Sequence, residues 1–193
     1  MLQESKLNNM KIVAIDFETA NRSSASACSL GLSIYDEGVF VDSYAFLICP
    51  PINHRDFSFT YIHHLTYDDV KDAKEFPEHY DELKAVFKDA LLIAHNARFD
   101  INVLNSMCDY YGLDRFNNYY LDTVSLARKY YPKLENHRLN TIADYLGIEL
   151  NHHEAQSDAD ACLMILINVM QDTNCFDINQ LINDLHLKIF INK

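Results

Sequence analysis

Four acidic residues that could hold divalent cations lie in three separate segments of the chain. Asp16 and Glu18 end an apolar run, Asp100 begins a predicted helix, and Asp158 follows His153 near the start of another. Carboxylates rarely lie beside apolar runs unless something offsets their charge. A pair of divalent cations would do so, and paired cations are a common means of cleaving phosphodiester bonds. These residue types therefore predict phosphoryl-transfer chemistry, provided that the fold brings the segments together.

The first two segments also have simpler explanations. Asp16 and Glu18 are two residues apart in a predicted strand, so their side chains point the same way. Two carboxylates that close raise each other's pKa unless a cation lies between them. Alternatively, the strand end simply becomes polar where it meets solvent. Asp100 would be stabilised by the exposed amides at a helix start even without a metal.

The third segment contains rival candidates for each role. His153 and Asp158 would lie about 140° apart on a regular helix, so they can share a site only if His153 precedes the helix. A loop histidine with a pKa near neutral suits proton transfer, and His152 is the rival for that role. Asp160 is the rival ligand, although it lies about 200° around the helix from Asp158.

Hydrophobic periodicity and turn signals predict the elements that must position these residues. The predicted strands are 11–17, 29–35, 39–48, 90–94 and 119–121, and the predicted helices are 76–88, 100–111, 123–130, 139–146 and 155–170. Asp36-Glu37-Gly38 is a tight-turn signal for a hairpin, and Asp122 is the predicted N-cap of its helix. The polar stretch 53–74 predicts a loop with short helical pieces. This order predicts an α/β fold in which helices flank a mixed five-stranded sheet that begins with an antiparallel three-strand meander.

The length of 193 residues suits one domain with a substantial core. We expect a flexible N-terminus at 1–10, the main domain at 11–172, and a tail at 173–193 that forms a last packing helix or a dimer contact. No apolar run approaches the roughly 20 residues that cross a bilayer, and the start lacks a signal-peptide core. Five scattered cysteines argue against a disulfide framework and a zinc site, so a reducing cytoplasm is expected.

The net charge of −12 is unusual for a protein that binds nucleic acid through lysine and arginine. An acidic surface is also an ordinary source of solubility. If the chain binds nucleic acid, we expect contact through bound metals and a short groove, with a strand end as the ligand rather than a long duplex.

Three motifs, in order, resemble those of the DEDDh 3′–5′ exonucleases, a family that includes the proofreading subunit of bacterial replicative DNA polymerase. The match covers roughly residues 11–170, with weaker echoes at 62–66, 122–123 and 139–147. The motifs are Asp16-Phe17-Glu18-Thr19, His95-Asn96-Ala97-Arg98-Phe99-Asp100 and His153-x-Ala155-x-x-Asp158-Ala159. The third motif selects His153 over His152 and Asp158 over Asp160.

The resemblance implies a ribonuclease H-like fold and two Mg²⁺ or Mn²⁺ ions, with His153 as general base. The implied metal ligands are Asp16, Glu18, Asp100 and Asp158. By the same resemblance, Thr19 and the backbone near Phe17 would contact the terminal nucleotide, while His95 and Asn96 would help to position the substrate. The Phe17 ring could stack on a base or be buried in the core.

The expected activity is release of nucleoside 5′-monophosphates from the 3′ ends of single-stranded DNA. RNA or short oligoribonucleotides are the alternative substrate, because the motifs do not distinguish the two sugars. A nucleic-acid-binding module that does not cut and an endonuclease of the same fold are further alternatives. Any proofreading would need a separate polymerase or repair partner, since no polymerase domain is recognisable in the chain.

Overall fold

The computed structural model describes residues 10–193, so the predicted flexible segment lies, except for Met10, outside the described residues. The three N-terminal strands form an antiparallel meander: β1 (Lys11–Thr19), β2 (Ala27–Asp36) and β3 (Val39–Leu47). The predicted turn at 36–38 joins β2 to β3, with positive φ angles of 49° at Glu37 and 84° at Gly38. Glycine adopts such angles without steric cost, which suits a tight turn.

Two further strands extend the sheet on the other side of β1. β4 (Ala90–Ala94) pairs with β1 in parallel, and β5 (Tyr119–Asp122) pairs with β4 in parallel. A sixth strand, β6 (Ile189–Ile191), pairs antiparallel with β5 and gives the order β3-β2-β1-β4-β5-β6. The sheet therefore has one strand more than the five predicted from the sequence. Apart from that strand, the predicted ribonuclease H-like α/β arrangement is confirmed.

Helices cover both faces of the sheet. They are α1 (Thr60–His63), α2 (Tyr67–Val70), α3 (Phe76–Phe87), α4 (Arg98–Tyr111), α5 (Thr123–Tyr130), α6 (Leu139–Leu146), α7 (Ala155–Asp172) and α8 (Ile178–Asp184), with a 3₁₀ turn at Ile52–His54. The short α1 and α2 correspond to the helical pieces predicted within 53–74. Within residues 10–193, no helix combines the length and the apolar character that crossing a membrane requires.

Alternation along β1 separates two hydrophobic clusters. Ile12 and Ala14 face the cluster formed with α5 to α8, whereas Val13, Ile15 and Phe17 face the cluster formed with α3 and α4. Asp16 and Glu18 continue the Ile12 and Ala14 face by the two-residue period of a strand. The acidic pair is therefore directed to the side of the sheet that α7 covers.

The tail after α7 packs on the rest of the domain through α8 and β6. Ile178, Leu181 and Ile182 of α8 join the buried cluster beside α7. Asn192, which is 2% exposed, donates to the Phe116 carbonyl at 2.7 Å and so fixes the end of the chain after β6.

Candidate active site

The site forms where the C-terminal ends of β1, β4 and β5 meet the first turn of α7. In open α/β sheets ligands bind outside the carboxyl ends of strands, because side chains from several loops converge there. A cavity of about 890 Å³ opens at this edge, and Asp16, Glu18 and Asp158 line it. The structure thus brings residues from the first and third motifs into one cavity.

Three of the four predicted carboxylates are close enough to share an ion. Asp16, Glu18 and Asp158 each offer an oxygen atom, and these three atoms lie within 4.8 Å of one another. Asp100 is 1% exposed and lies behind them, where its Oδ1 accepts a hydrogen bond of 2.9 Å from the Phe17 backbone N–H. Its charge acts on both Asp16 and Glu18, so all four carboxylates belong to one electrostatic cluster.

The clustering disfavours the charged forms of these carboxyl groups. Burial, followed by repulsion from Asp158 and Asp100, raises the pKa of Glu18 to about 8. Burial also raises the pKa of Asp100 to about 8, although the Phe17 N–H opposes the rise. The pKa of Asp16 is raised well above its usual value by burial and then by its acidic neighbours. Within residues 10–193 no lysine or arginine forms an ion pair with them. Oxygen ligands with uncompensated charge suit a hard divalent cation.

Asp158 reaches this cluster because α7 approaches β2 unusually closely at Gly31. Gly31 pairs with Asp16 across the sheet, and a Cβ atom at Gly31 would lie 1.9 Å from the Ala155 carbonyl oxygen. A side chain of any size at this position would displace the first turn of α7. Gln156 adds a second link, since its Nε2 donates to the Ser43 carbonyl at 3.1 Å.

The two histidines of the third motif contact Asp158 in different ways. His152 Nδ1 lies 3.0 and 3.2 Å from the two Asp158 oxygens, whereas His153 donates its backbone N–H to Oδ2 at 3.1 Å. The two rings stack with centroids 3.9 Å apart, and both line the cavity. His153 precedes α7, which is the position it needs in order to share a site with Asp158. Its φ of 70° turns the chain there. Asp160 does not line this cavity.

The matched family model, described as "Exonuclease", covers residues 13–166 and includes all three motifs. The chain belongs to this exonuclease family. The family resemblance and the prediction of an enzyme are thereby confirmed.

The exonuclease domain is similar to part of several bacterial replicative polymerases. It is 37% identical over 123 residues to the PolC-type DNA polymerase III of Bacillus cereus, a match to 62% of this chain and 9% of the relative. It is 33% identical over 153 residues to the PolC-type enzyme of Listeria monocytogenes, a match to 76% of this chain and 10% of the relative. The chain thus spans about a tenth of the length of these relatives.

Solved exonuclease structures share the fold at low sequence identity. The nuclease domain of 3′hExo, a DEDDh family member bound to rAMP, aligns with a TM-score of 0.76 at 17% identity over 96% of this chain and 98% of that one. Exonuclease X in complex with 5′-overhanging duplex DNA aligns with a TM-score of 0.68 at 20% identity, over 86% of this chain and 95% of that one.

The predicted substrate-contact residues occupy different environments in the exonuclease. Asn96 is exposed at the cavity, with its backbone N–H donating to Asp122 Oδ1 at 2.9 Å. Thr19 is buried at the cavity wall, and its carbonyl lies 3.1 Å from His63 Nε2. Phe17 is 2% exposed within the core, so its ring has the burial that was the alternative to base stacking. Strand alternation explains the burial, because Phe17 points to the opposite face of the sheet from Asp16.

His95 links three segments of the site through both of its ring nitrogens. Nε2 donates to the His137 carbonyl at 3.0 Å, and Nδ1 lies 3.0 Å from the Thr123 hydroxyl. Burial lowers the pKa of His95, which keeps the ring neutral at neutral pH. The ring therefore fixes the 131–138 loop against the ends of β4 and β5. It also lines the cavity.

Sequence reasoning missed several residues that shape the cavity. Those outside the predicted set include Phe59, Ile62, His63, Phe99, Val124, Arg128, Asn136, His137, Arg138, Leu139 and Asn140. Some fall in the weaker family matches at 62–66 and 139–147, and Phe99 lies in the second motif. Gly31 was also missed, although a glycine inside a strand commonly marks close backbone approach.

Proposed function

We propose that this domain hydrolyses the terminal phosphodiester bond at the 3′ end of a nucleic acid strand and releases nucleoside 5′-monophosphates. The observation that carries the proposal is the convergence of Asp16, Glu18 and Asp158 within 4.8 Å, with Asp100 behind them. Family membership supports hydrolysis of nucleic acid. The 3′–5′ polarity is inferred from the histidine-containing third motif.

The proposed cofactors are two divalent cations, Mg²⁺ or Mn²⁺. Asp16, Glu18 and Asp158 would hold them directly, with Asp100 completing the set, since carboxylate oxygens are the ligands that these ions prefer. When bound, such ions polarise the scissile phosphate and stabilise transition-state charge. The raised pKa values support this role, because paired charges that repel each other in the free protein become favourable beside a cation.

His153 is the proposed general base that accepts a proton from the attacking water. Burial, and then the neighbouring His152, lowers the pKa of His153, so the ring is neutral near pH 7 and able to accept a proton. Its backbone hydrogen bond to Asp158 fixes the ring at the edge of the carboxylate cluster. His152 remains the rival base, because its ring touches Asp158 directly.

The proposed substrate is single-stranded DNA, and RNA is the runner-up. Similarity to PolC-type DNA polymerases supports DNA and a polymerase partner. The structural neighbour bound to rAMP keeps RNA as the second candidate. In this proposal Thr19, Asn96 and the backbone at Phe17 contact the terminal nucleotide. His95 positions the 131–138 loop beside that nucleotide.

A degradation assay tests the proposal. The protein with Mg²⁺ should shorten 5′-labelled DNA stepwise and release 5′-monophosphates, and a blocked 3′ terminus should prevent this. Asp16→Asn should reduce the rate by at least about 10²-fold while leaving the fold intact. Matched DNA and RNA oligomers compare the two sugars. Cleavage of a circular single strand would show an endonuclease, and metal-independent binding without turnover would show a non-catalytic module.

A second comparison separates the two histidines. His153→Ala should lower kcat by about 10²-fold or more and remove the acid limb of the pH–rate profile, whereas His152→Ala should retain that limb. Loss of the acid limb in the His152 variant alone would transfer the role of general base to His152.

A further inference from the structure

Two arginines stand out on the wall of the cavity, in a chain whose net charge is −12. Arg128 on α5 and Arg138 immediately before α6 both line it, and both are exposed. Neither forms an ion pair with any residue between 10 and 193. No lysine lines the cavity within the same range. Two guanidinium groups are therefore free to bind an anion beside the carboxylate cluster.

Both arginines lie on segments that are tied to the same strand ends as the carboxylates. Asp122, at the end of β5, caps α5 by accepting the Val124 N–H at 3.2 Å. The Arg138 segment is held by His95, which donates to the His137 carbonyl, and by the Arg138 N–H, which donates to Asn136 Oδ1 at 3.0 Å. The backbone that carries the guanidinium groups is thus fixed relative to the catalytic centre.

The charge distribution indicates what these groups bind. The carboxylate cluster can accommodate the scissile phosphate only with cations bound, and it repels every further phosphate of the strand. A guanidinium group presents a planar pair of donors that matches phosphate oxygens and stays charged at any physiological pH. Arg128 and Arg138 on the cavity wall carry the charge that suits the phosphates adjoining the scissile one.

We infer that Arg128 and Arg138 bind backbone phosphates on the 5′ side of the scissile bond. This inference rests on the proposed function. It also makes His95 a positioning residue, because His95 holds the segment that carries Arg138 through the His137 carbonyl. A second groove shares Asn96 and Phe99 with the cavity and contains Arg98, and it offers the strand a competing path with a single cation.

The experiment compares two substrates that differ in the phosphates available. The p-nitrophenyl ester of thymidine 5′-monophosphate has only the scissile phosphodiester, whereas a single-stranded oligonucleotide has several. In the Arg128→Ala/Arg138→Ala variant, kcat/KM for the oligonucleotide should fall about tenfold more than kcat/KM for the ester. The plot of log kcat/KM against log salt should lose about 1.4 units of slope, since each phosphate contact on a single strand contributes roughly 0.7.

Matched variants control for charge and for folding. Lys129→Ala and Lys133→Ala remove neighbouring exposed cations that do not line the cavity, and both should match the wild type on both substrates. The double lysine variant, Arg128→Lys/Arg138→Lys, should keep most of the salt dependence but lose part of the affinity, because lysine lacks the planar fork.

Three results would overturn the inference: an equal fall for ester and oligonucleotide, no fall for either, or a selective loss produced by Arg98→Ala instead. A binding measurement separates it from the proposed function. Fluorescence anisotropy with a labelled single strand in Ca²⁺ should show about a tenfold weaker Kd for the double alanine variant, whether or not the wild type cleaves. Wild-type protein that hydrolyses neither substrate contradicts the proposed function, and an unchanged Kd contradicts the arginine contacts.

Discussion

Replacing Gly31 with alanine would place a methyl group where the first turn of α7 already lies. The added Cβ would be 1.9 Å from the Ala155 carbonyl oxygen, 2.2 Å from its carbon and 2.6 Å from the Gln156 nitrogen. All three are backbone atoms, so no side-chain rotation can relieve the overlap. Ordinary contact begins near 3.4 Å, and the helix start must therefore retreat by about 1.5 Å.

That displacement is transmitted to the active site through Asp158, which lies one helical turn beyond Ala155. A misplacement of about 1 Å can cost about 10²-fold in rate, because reacting groups lose their aligned geometry. We therefore expect Gly31→Ala to reduce kcat by about 10²-fold and to raise the Mg²⁺ concentration needed for half-maximal activity. Overpacking should also lower the free energy of unfolding by roughly 1–3 kcal/mol.

The assay measures cleavage of a labelled oligonucleotide across a Mg²⁺ titration, together with urea unfolding of the same preparations. Ser33→Ala is the matched control, since Ser33 lies two residues along the same strand face and its buried hydroxyl has no hydrogen-bond partner within residues 10–193. It should leave activity and stability nearly unchanged. A folded Gly31→Ala variant with wild-type kcat and Mg²⁺ requirement would refute the reasoning that close helix approach positions Asp158.

Two further predictions follow from polar groups at the site. Asp122→Ala removes the hydrogen-bond acceptor of the Asn96, Ala97 and Val124 backbone N–H groups, so the free energy of unfolding in urea should fall by about 2 kcal/mol. Ser125→Ala, which removes one hydrogen bond to the same carboxylate, should lower it by less than about 1 kcal/mol. Above about pH 7 the histidines whose pKa is lowered by burial are neutral in both states. In the metal-free protein, the raised pKa values of Glu18 and Asp100 then mean that the folded state binds more protons than the unfolded state from about pH 7 to about pH 8. The free energy of unfolding of the metal-free protein should therefore fall as pH rises through that window, and Mg²⁺ should reverse the trend because it binds the charged carboxylates. Urea titrations in EDTA and in Mg²⁺ at several pH values check both signs. A metal-free stability that rises with pH in that window would contradict the prediction.

Most of the fold was predictable because local patterns carry it. The apolar run before Asp16, the turn at 36–38 and the glycine after α6 each mark an element boundary by local chemistry. The parallel pairing of β1, β4 and β5 then follows from short strands separated by helices. Since parallel strands end at one edge, the motifs that follow them must converge there.

The missing features depend on contacts distant in sequence. β6 has only three residues, Ile189–Ile191, and pairs with a strand some 70 residues earlier. Its sequence is too short to show the alternating hydrophobicity that predicts a strand. The hydrogen bonds from Asn96 and Ala97 to Asp122 likewise join separate loops. The contact between His152 and Asp158 is local, but the chain makes it around a positive φ at His153, which the sequence does not disclose.

Anomalous diffraction from crystals grown with Mn²⁺ tests the central claim most directly, because it locates bound ions independently of activity. We expect two peaks about 3.5–4 Å apart, with oxygens of Asp16, Glu18 and Asp158 as ligands and Asp100 beside them. A single peak held by His152, His153 and Asp158, with no density beside Asp16, would contradict the proposed two-cation site. Among residues 10–193, these three residues form the other cluster that could bind a metal.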